Sequence, residues 1–292
     1  MATEQTPAGP ADPATLRAVA ERLADEAAAF VRRRRAEVFA DGAGGDAVST
    51  KSTPTDPVTV VDTETERLLR DRLAVLRPGE PVLGEEEGGA DALRPGVPTW
   101  VLDPIDGTVN FVYGIEAYAV SVAVQIDGRS VAGAVADVAA GALYSAGRGL
   151  GAHVRRGGVV TELRCSAADD LATALVGTGF SYAAPMRARQ ARVLAALLPR
   201  VRDVRRIGAC ALDLCMVAAG RLDGYYEQGV QRWDWAAAAL IAEEAGARVV
   251  LPPEGAPADA DGLVIAAAPG VAEALLAALA EAGLSTPTSE SS

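Results

Sequence analysis

Histidine occurs once, at His153, and cysteine three times, at Cys165, Cys210 and Cys215. A Ser-His-Asp hydrolase would have to use His153, which follows Gly147-Arg-Gly149-Leu-Gly151 in a turn-rich β segment expected to lie at the surface. One histidine and three scattered cysteines leave too few ligands for a structural zinc site. The odd, sparse cysteine count fits reduced thiols. Basic charge is in deficit, with a net charge of -12. That argues against a surface that holds nucleic acid by neutralising its phosphates. An acidic protein acting on an anion needs positive charge at its site, and a bound divalent cation supplies it. No run of about 18 uninterrupted apolar residues occurs, so no membrane-spanning helix is expected. Met1 to Pro13 is polar and Pro-rich, without the basic-then-apolar order of a signal peptide, so the expected location is the cytoplasm.

Half of the 292 residues are hydrophobic, enough for a large core. Leu16, Val19, Ala20, Leu23, Ala27, Phe30 and Val31 recur at helical spacing and predict a helix from Pro13 to about Phe39. The Arg32 to Arg35 run near its end reads as a solvated, dipole-favoured turn. A Gly-rich loop is expected over 41–52, and a second helix from about Asp62 to Leu76, stopped by Pro78-Gly79. Pro81-Val-Leu and Trp100-Val-Leu read as short strands. Tyr118 to Tyr144, broken at Asp127-Gly128 and Gly141, reads as strands joined by hairpins. Further helices are expected over 190–198, 212–219, 236–245 and 271–282. Interspersed helices and strands predict a layered α/β (α+β) architecture with much antiparallel sheet. One domain is expected over 13–284, with lobes near 13–150 and 151–284 and flexible tails at 1–12 and 285–292.

The chemistry concentrates in Trp100-Val-Leu-Asp103-Pro-Ile-Asp106-Gly-Thr108-Val-Asn-Phe111. Two carboxylates three residues apart follow a strand and lead into a Gly-Thr turn. Pro104 stiffens the backbone between them, and Gly107 admits a ligand to close approach. Backbone N–H groups after such a turn suit phosphate oxygens. Mg²⁺ takes oxygen ligands, commonly carboxylates with water and substrate phosphate. Glu85 and Glu86 lie in a Gly-bounded turn, Asp62 sits near a helix start, and Asp234 stands between Trp233 and Trp235. Each has a plainer reading: Asp62 and Asp234 as helix caps, Glu85 to Glu87 as a solvated turn.

These segments resemble the inositol monophosphatase family. The resemblance rests on the Trp100 to Phe111 string, on Trp233-Asp234 before an Ala-rich helix ending in Glu-Ala-Gly-Ala, on Lys51-Ser52 with Asp62 eleven residues on, and on Gly84-Glu-Glu86. It runs from the first helix to Val250 and implies an α-β-α-β-α sandwich of the sugar phosphatase type, usually a homodimer. It implies Mg²⁺ as cofactor, about two or three ions per site, and inhibition by Li⁺. Glu85, Asp103, the Ile105 carbonyl, Asp106 and Asp234 would be the metal ligands. Asp62 and Thr108 would orient the attacking water, with Glu85 also catalytic. Gly107 and Thr108 would cradle phosphate. Asp106, Gly208, Ala209, Cys210, Glu227 and Asp234 would face the rest of the substrate. Family members often carry a hydroxyl residue where Ala209 stands, which puts substrate preference in doubt.

The expected reaction is Mg²⁺-dependent hydrolysis of a small phosphate monoester, foremost inositol-1-phosphate, by in-line attack of a metal-activated water. Histidinol phosphate, fructose-1,6-bisphosphate and phosphoadenosine phosphate are the rival substrates. A reading of another class is a non-catalytic partner of transcription machinery, with Arg202, Arg205 and Arg206 as its contact. Cys215-Met-Val-Ala-Ala-Gly-Arg221 has the spacing of a cysteine-phosphatase loop but reads as an apolar helix with Gly220 at its C-cap.

Overall fold

The computed structural model describes residues 12–40, 48–51, 57–89, 94–253 and 262–284. The expected tails over 1–12 and 285–292 and the loop over 41–52 lie outside these residues, apart from Asp12, Val48–Thr50 and Lys51.

The elements, in chain order, begin with α1 (Pro13–Val38), β1 (Val48–Thr50), β2 (Pro57–Thr59), α2 (Val60–Leu76) and β3 (Val82–Gly84). Next come β4 (Thr99–Asp106), α3 (Thr108–Tyr113), β5 (Ala119–Ile126), β6 (Arg129–Asp137), β7 (Ala142–Gly147), β8 (Ala152–Arg156) and β9 (Val159–Glu162). The chain continues with β10 (Leu175–Thr178), α4 (Ala184–Leu197), β11 (Asp203–Arg205), α5 (Cys210–Ala218), β12 (Gly224–Gln228) and α6 (Arg232–Glu244). It closes with β13 (Arg248–Val250), β14 (Leu263–Ala267) and α7 (Pro269–Glu281).

Five layers result, as expected. Helices α1 and α2 cover one face of a seven-stranded sheet ordered β3-β4-β5-β6-β7-β8-β9. Helices α5 and α6 fill the space between that sheet and a five-stranded one ordered β11-β10-β12-β14-β13. Helices α4 and α7 close the far side. Only the β3–β4 pair of the larger sheet is parallel, so the predicted hairpins hold. The sheet runs on to Glu162.

Local sequence explains the helix starts. Asp12 accepts from the N–H groups of Ala14 and Thr15, with Pro13 at the first helical position. Leu16, Ala20, Leu23, Ala27 and Val31 then bury one stripe of α1. The Arg32 to Arg35 turn is more bonded than a solvated face. Arg32 donates to the Val138 carbonyl, Arg34 to Glu64 and Arg35 to the Phe111 carbonyl. Helix α2 starts two residues earlier than expected, because Thr59 is its cap and Asp62 completes a capping box. Helix α6 likewise starts at Arg232, which puts Trp233 and Asp234 in its first turn.

Strand β4 is buried along its whole length. It contains both Asp103 and Asp106, which the sequence had suggested lie beyond a strand. The register against β5 explains how they work together. Asp103 pairs with Ser121 and Asp106 with Ala119, so three steps on β4 match two on its partner. In a regular strand residues three apart point to opposite faces. The bulge adds one residue and turns both carboxylates to the same side, with Pro104 at a position that needs no ladder hydrogen bond.

Candidate active site

Between the two sheets opens a cavity of about 440 Å³, within the range of small-molecule sites. The larger sheet and its loops contribute Glu85, Asp103, Ile105, Asp106, Gly107 and Thr108, and Lys51 follows β1 of a separate two-stranded sheet, β1–β2. Arg206, Gly208, Cys210, Glu227, Trp233 and Asp234 face them. A loop over 180–183, with Phe180, Ser181 and Tyr182, forms part of the rim.

Glu85 is held by its neighbours. Its backbone N–H bonds the Leu102 carbonyl at 3.2 Å. The next two N–H groups, of Glu86 and Glu87, donate to the buried Glu66 carboxylate at 2.7 and 3.0 Å. Gly84 is required beneath this turn, since a Cβ there would sit 2.1 Å from Glu66 Oε1. Lys51, the only lysine in the chain, donates to Glu85 at 2.8 Å and to Glu86 at 2.5 Å.

Asp106 has a second duty. Its Oδ2 accepts from the Ala211 N–H at 2.7 Å. Helix α5 begins after Ala209, which has no side chain able to cap it, and Asp106 caps it from across the cavity. Asp234 completes a capping box with Gln231, whose N–H it accepts at 2.6 Å, while also lining the cavity. Asp234 therefore both caps α6 and faces the cavity.

Asp62 does not line the cavity. It is fully buried behind Thr108, whose hydroxyl lies 3.2 Å from Asp62 Oδ1 and 2.9 Å from the Ile105 carbonyl. Gly107 adopts φ +89°, and a Cβ there would lie 2.9 Å from the Ala117 carbonyl oxygen, so glycine alone fits. Ala209 is buried behind it, its methyl 3.1 Å from that Cβ position, and it does not line the cavity. Glu227 accepts from the Tyr225 hydroxyl at 2.5 Å.

Burial and crowding make these carboxyls hard to ionise. Asp103 and Asp234 are pushed well above the usual range, by burial first and then by Glu85 and Asp106. Burial raises Asp106 to about 7 and Asp62 to about 6. It raises Glu86 to about 7 against the opposing pull of Lys51. Burial works against the Lys51 ammonium, but Glu85 and Glu86 outweigh it and hold its pKa above the usual range. Burial pushes the Cys210 and Cys215 thiols well up, so neither is a ready thiolate, and Cys215 lies within α5.

The donor set is hard oxygen: carboxylates and one main-chain carbonyl, repelling one another around a small space. That chemistry fits Mg²⁺ or a similar divalent ion and does not fit zinc. Among the described residues, no three His, Cys, Asp or Glu side chains already stand in a ready metal cage.

Sequence reasoning singled out neither Arg206, which lines the cavity, nor Glu66, which holds the Glu85 turn from behind. The sequence groups Arg206 with Arg202 and Arg205 as one basic contact. Arg202 does bond the Thr173 carbonyl and Arg205 pairs with Asp203, but Arg206 turns into the cavity across Gly208. Composition does not separate three neighbouring arginines. Glu66 looked like any helix-face acid. Lys51 had a signal in being the sole lysine. His153 departs from its expected surface turn: it is half-buried on strand β8.

The model of the inositol monophosphatase family matches residues 12–284. The chain is 69% identical over 274 residues to inositol-1-monophosphatase of Mycobacterium leprae, covering 92% of this chain and 94% of the relative. It is 37% identical over 223 residues to Nus factor SuhB of Escherichia coli K12, covering 76% and 82%. The solved structure of Mycobacterium tuberculosis SuhB matches with TM-score 0.80 and 60% identity over 94% of this chain and 98% of that one. With the motif string, the layered fold and these likenesses in agreement, the chain belongs to the inositol monophosphatase family.

Proposed function

We propose that this protein hydrolyses small phosphate monoesters, inositol-1-phosphate foremost, with Mg²⁺ as cofactor. The observation that carries the reading is the convergence of Glu85, Asp103, Asp106 and Asp234, from three separate stretches of chain, on one cavity beside Gly107 and Thr108. Glu85, Asp103, the Ile105 carbonyl, Asp106 and Asp234 would hold the metal. Bound there, divalent ions supply the Lewis acidity that activates water, neutralises phosphate and stabilises the leaving alkoxide. Gly107 and Thr108 cradle the phosphate. The Thr108 hydroxyl orients the attacking water, and Asp62 behind it fixes that hydroxyl by accepting its hydrogen bond. Glu227 and Asp234 accept hydrogen bonds from substrate hydroxyls, which suits a polyol. The name of the 69% identical relative supports inositol-1-phosphate as substrate.

The test is phosphate release from inositol-1-phosphate, histidinol phosphate, fructose-1,6-bisphosphate and phosphoadenosine phosphate, with and without Mg²⁺. Mg²⁺-dependent release strongest on inositol-1-phosphate is the expected result, and no release from any substrate overturns the reading. A second reading, partnership with transcription machinery, is favoured by the relative named Nus factor SuhB. Of the proposed contact, Arg202 and Arg205 lie away from the cavity, while Arg206, also exposed, lines it. A pull-down without transcription factors removes it.

A further inference from the structure

A second cavity of about 210 Å³, sharing no lining residue with the first, lies between α1 and strands β7 to β9. The strand register dictates its floor. Ser145 pairs with His153, Leu143 with Arg155, and Arg155 with Val160, so these five side chains share one sheet face. Its roof is polar. Arg17, Glu21 and Asp25 recur every four residues on α1, one edge over from the apolar stripe that covers the sheet's centre.

Most of the charge here is paired. Ser145 donates to Glu21 at 2.6 Å and Arg155 pairs with Asp25. Glu162, opposite His153 on β9, pairs with Arg164. Arg17 is itself ion-paired with Glu21, but two buried nitrogens still lack a hydrogen bond. Arg17 Nε lies 3.3 Å from Glu21 Oε1 yet makes no hydrogen bond, and His153 Nδ1 is buried with no partner. Arginine has only donors to offer, and an imidazole nitrogen donates in one tautomer and in the protonated ring. Two unsatisfied buried nitrogens beside the Arg155 guanidinium call for an acceptor with several oxygens. The cavity is too small for a nucleotide-sized ligand but large enough for more than a single water.

We propose that this cavity is an accessory site for a small oxyanion, a phosphate group, held by Arg17, His153 and Arg155. The site is separate from the catalytic one and does not depend on metal there. Inorganic phosphate and a small phosphate ester are two sources of the same chemistry.

Because His153 is the only histidine, the chain gives one set of imidazole NMR signals, which reports on this cavity. The full chain is titrated with inorganic phosphate, and in a second arm with glycerol phosphate, at constant ionic strength against chloride. Each titration is run in chelator and again in Mg²⁺. A saturable shift of the His153 signal in both conditions is expected, and the tighter arm identifies the source. Arg17→Gln is expected to weaken binding roughly tenfold, the loss of one charge-assisted hydrogen bond. Arg17→Lys, which keeps the charge and guards against misfolding, is expected to weaken it as well. A non-saturating shift equal to that with chloride overturns the proposal and leaves only ordered water. So does a shift seen only with Mg²⁺, which places the phosphate in the carboxylate cavity, or one undiminished in both Arg17 variants.

Discussion

At the scale of single residues, the site is built from side chains that do two jobs. Asp106 caps α5 and faces the cavity. Asp234 closes the first turn of α6 and faces it too. Asp103 is the cleanest residue to remove, because its main-chain bond is a local one, from the Ile105 N–H, and it caps no helix. Asp103→Asn keeps an oxygen acceptor and deletes a carboxylate raised by burial and by Glu85. Its kcat/KM is expected to fall by about 10²–10³-fold or more. Its Tm in chelator should be no lower than wild type. A fall in Tm parallel to the loss of activity would reassign Asp103 to a structural role.

At the scale of elements, two close contacts hold the layers around the cavity in place. Helix α2 reaches the Glu85 turn through Glu66, which accepts from the Glu86 and Glu87 N–H groups and from Arg70. Glu66→Ala leaves those donors without their acceptor and is expected to cost at least about 2 kcal/mol. It should also raise the Mg²⁺ concentration needed for half-maximal rate, measured by metal titration. An unchanged metal requirement would show that the turn holds itself. Strand β6 meets α6 through Gly133, where a Cβ would sit 2.8 Å from Ala237 Cα. The opposing atom is backbone and cannot swing away. Gly133→Ala is therefore expected to destabilise by about 1–3 kcal/mol in chemical unfolding while the KM for substrate stays near wild type. Equal stability would mean that the two layers slide freely.

At the scale of the whole molecule, the interior carries an electrostatic load that a cation relieves. Asp106 and Glu86 titrate near about 7 and Asp62 near about 6, each raised first by burial. A carboxyl that ionises less readily folded than unfolded takes up protons on folding. Its contribution to stability is complete below about pH 4 and is lost as pH rises to about 7. In chelator, calorimetry is expected to give a higher Tm at about pH 5 than at about pH 8. Saturating Mg²⁺ should raise the Tm more at the higher pH, because binding to the folded state adds stability and neutralises the repulsion. A Tm difference between the two pH values that Mg²⁺ leaves unchanged would show that these carboxyls do not share an ion.

The sequence by itself determined the periodic elements. The stripe of α1, the β hairpins and the Ala-rich α6 follow from local spacing and turn residues. The Asp103 to Thr108 string was also legible, because its glycine, proline and carboxylates are chemically distinctive within a few residues. Tertiary structure alone decided which way the carboxylates point. Three-residue spacing sends Asp103 and Asp106 to opposite faces of a regular strand, and the bulge against β5 reverses that. It alone separated Arg206 from Arg205, set Asp62 behind Thr108, moved Ala209 out of the cavity wall and brought His153 under α1. Those outcomes depend on registers and layer contacts between residues far apart in the chain, and no local pattern carries that information.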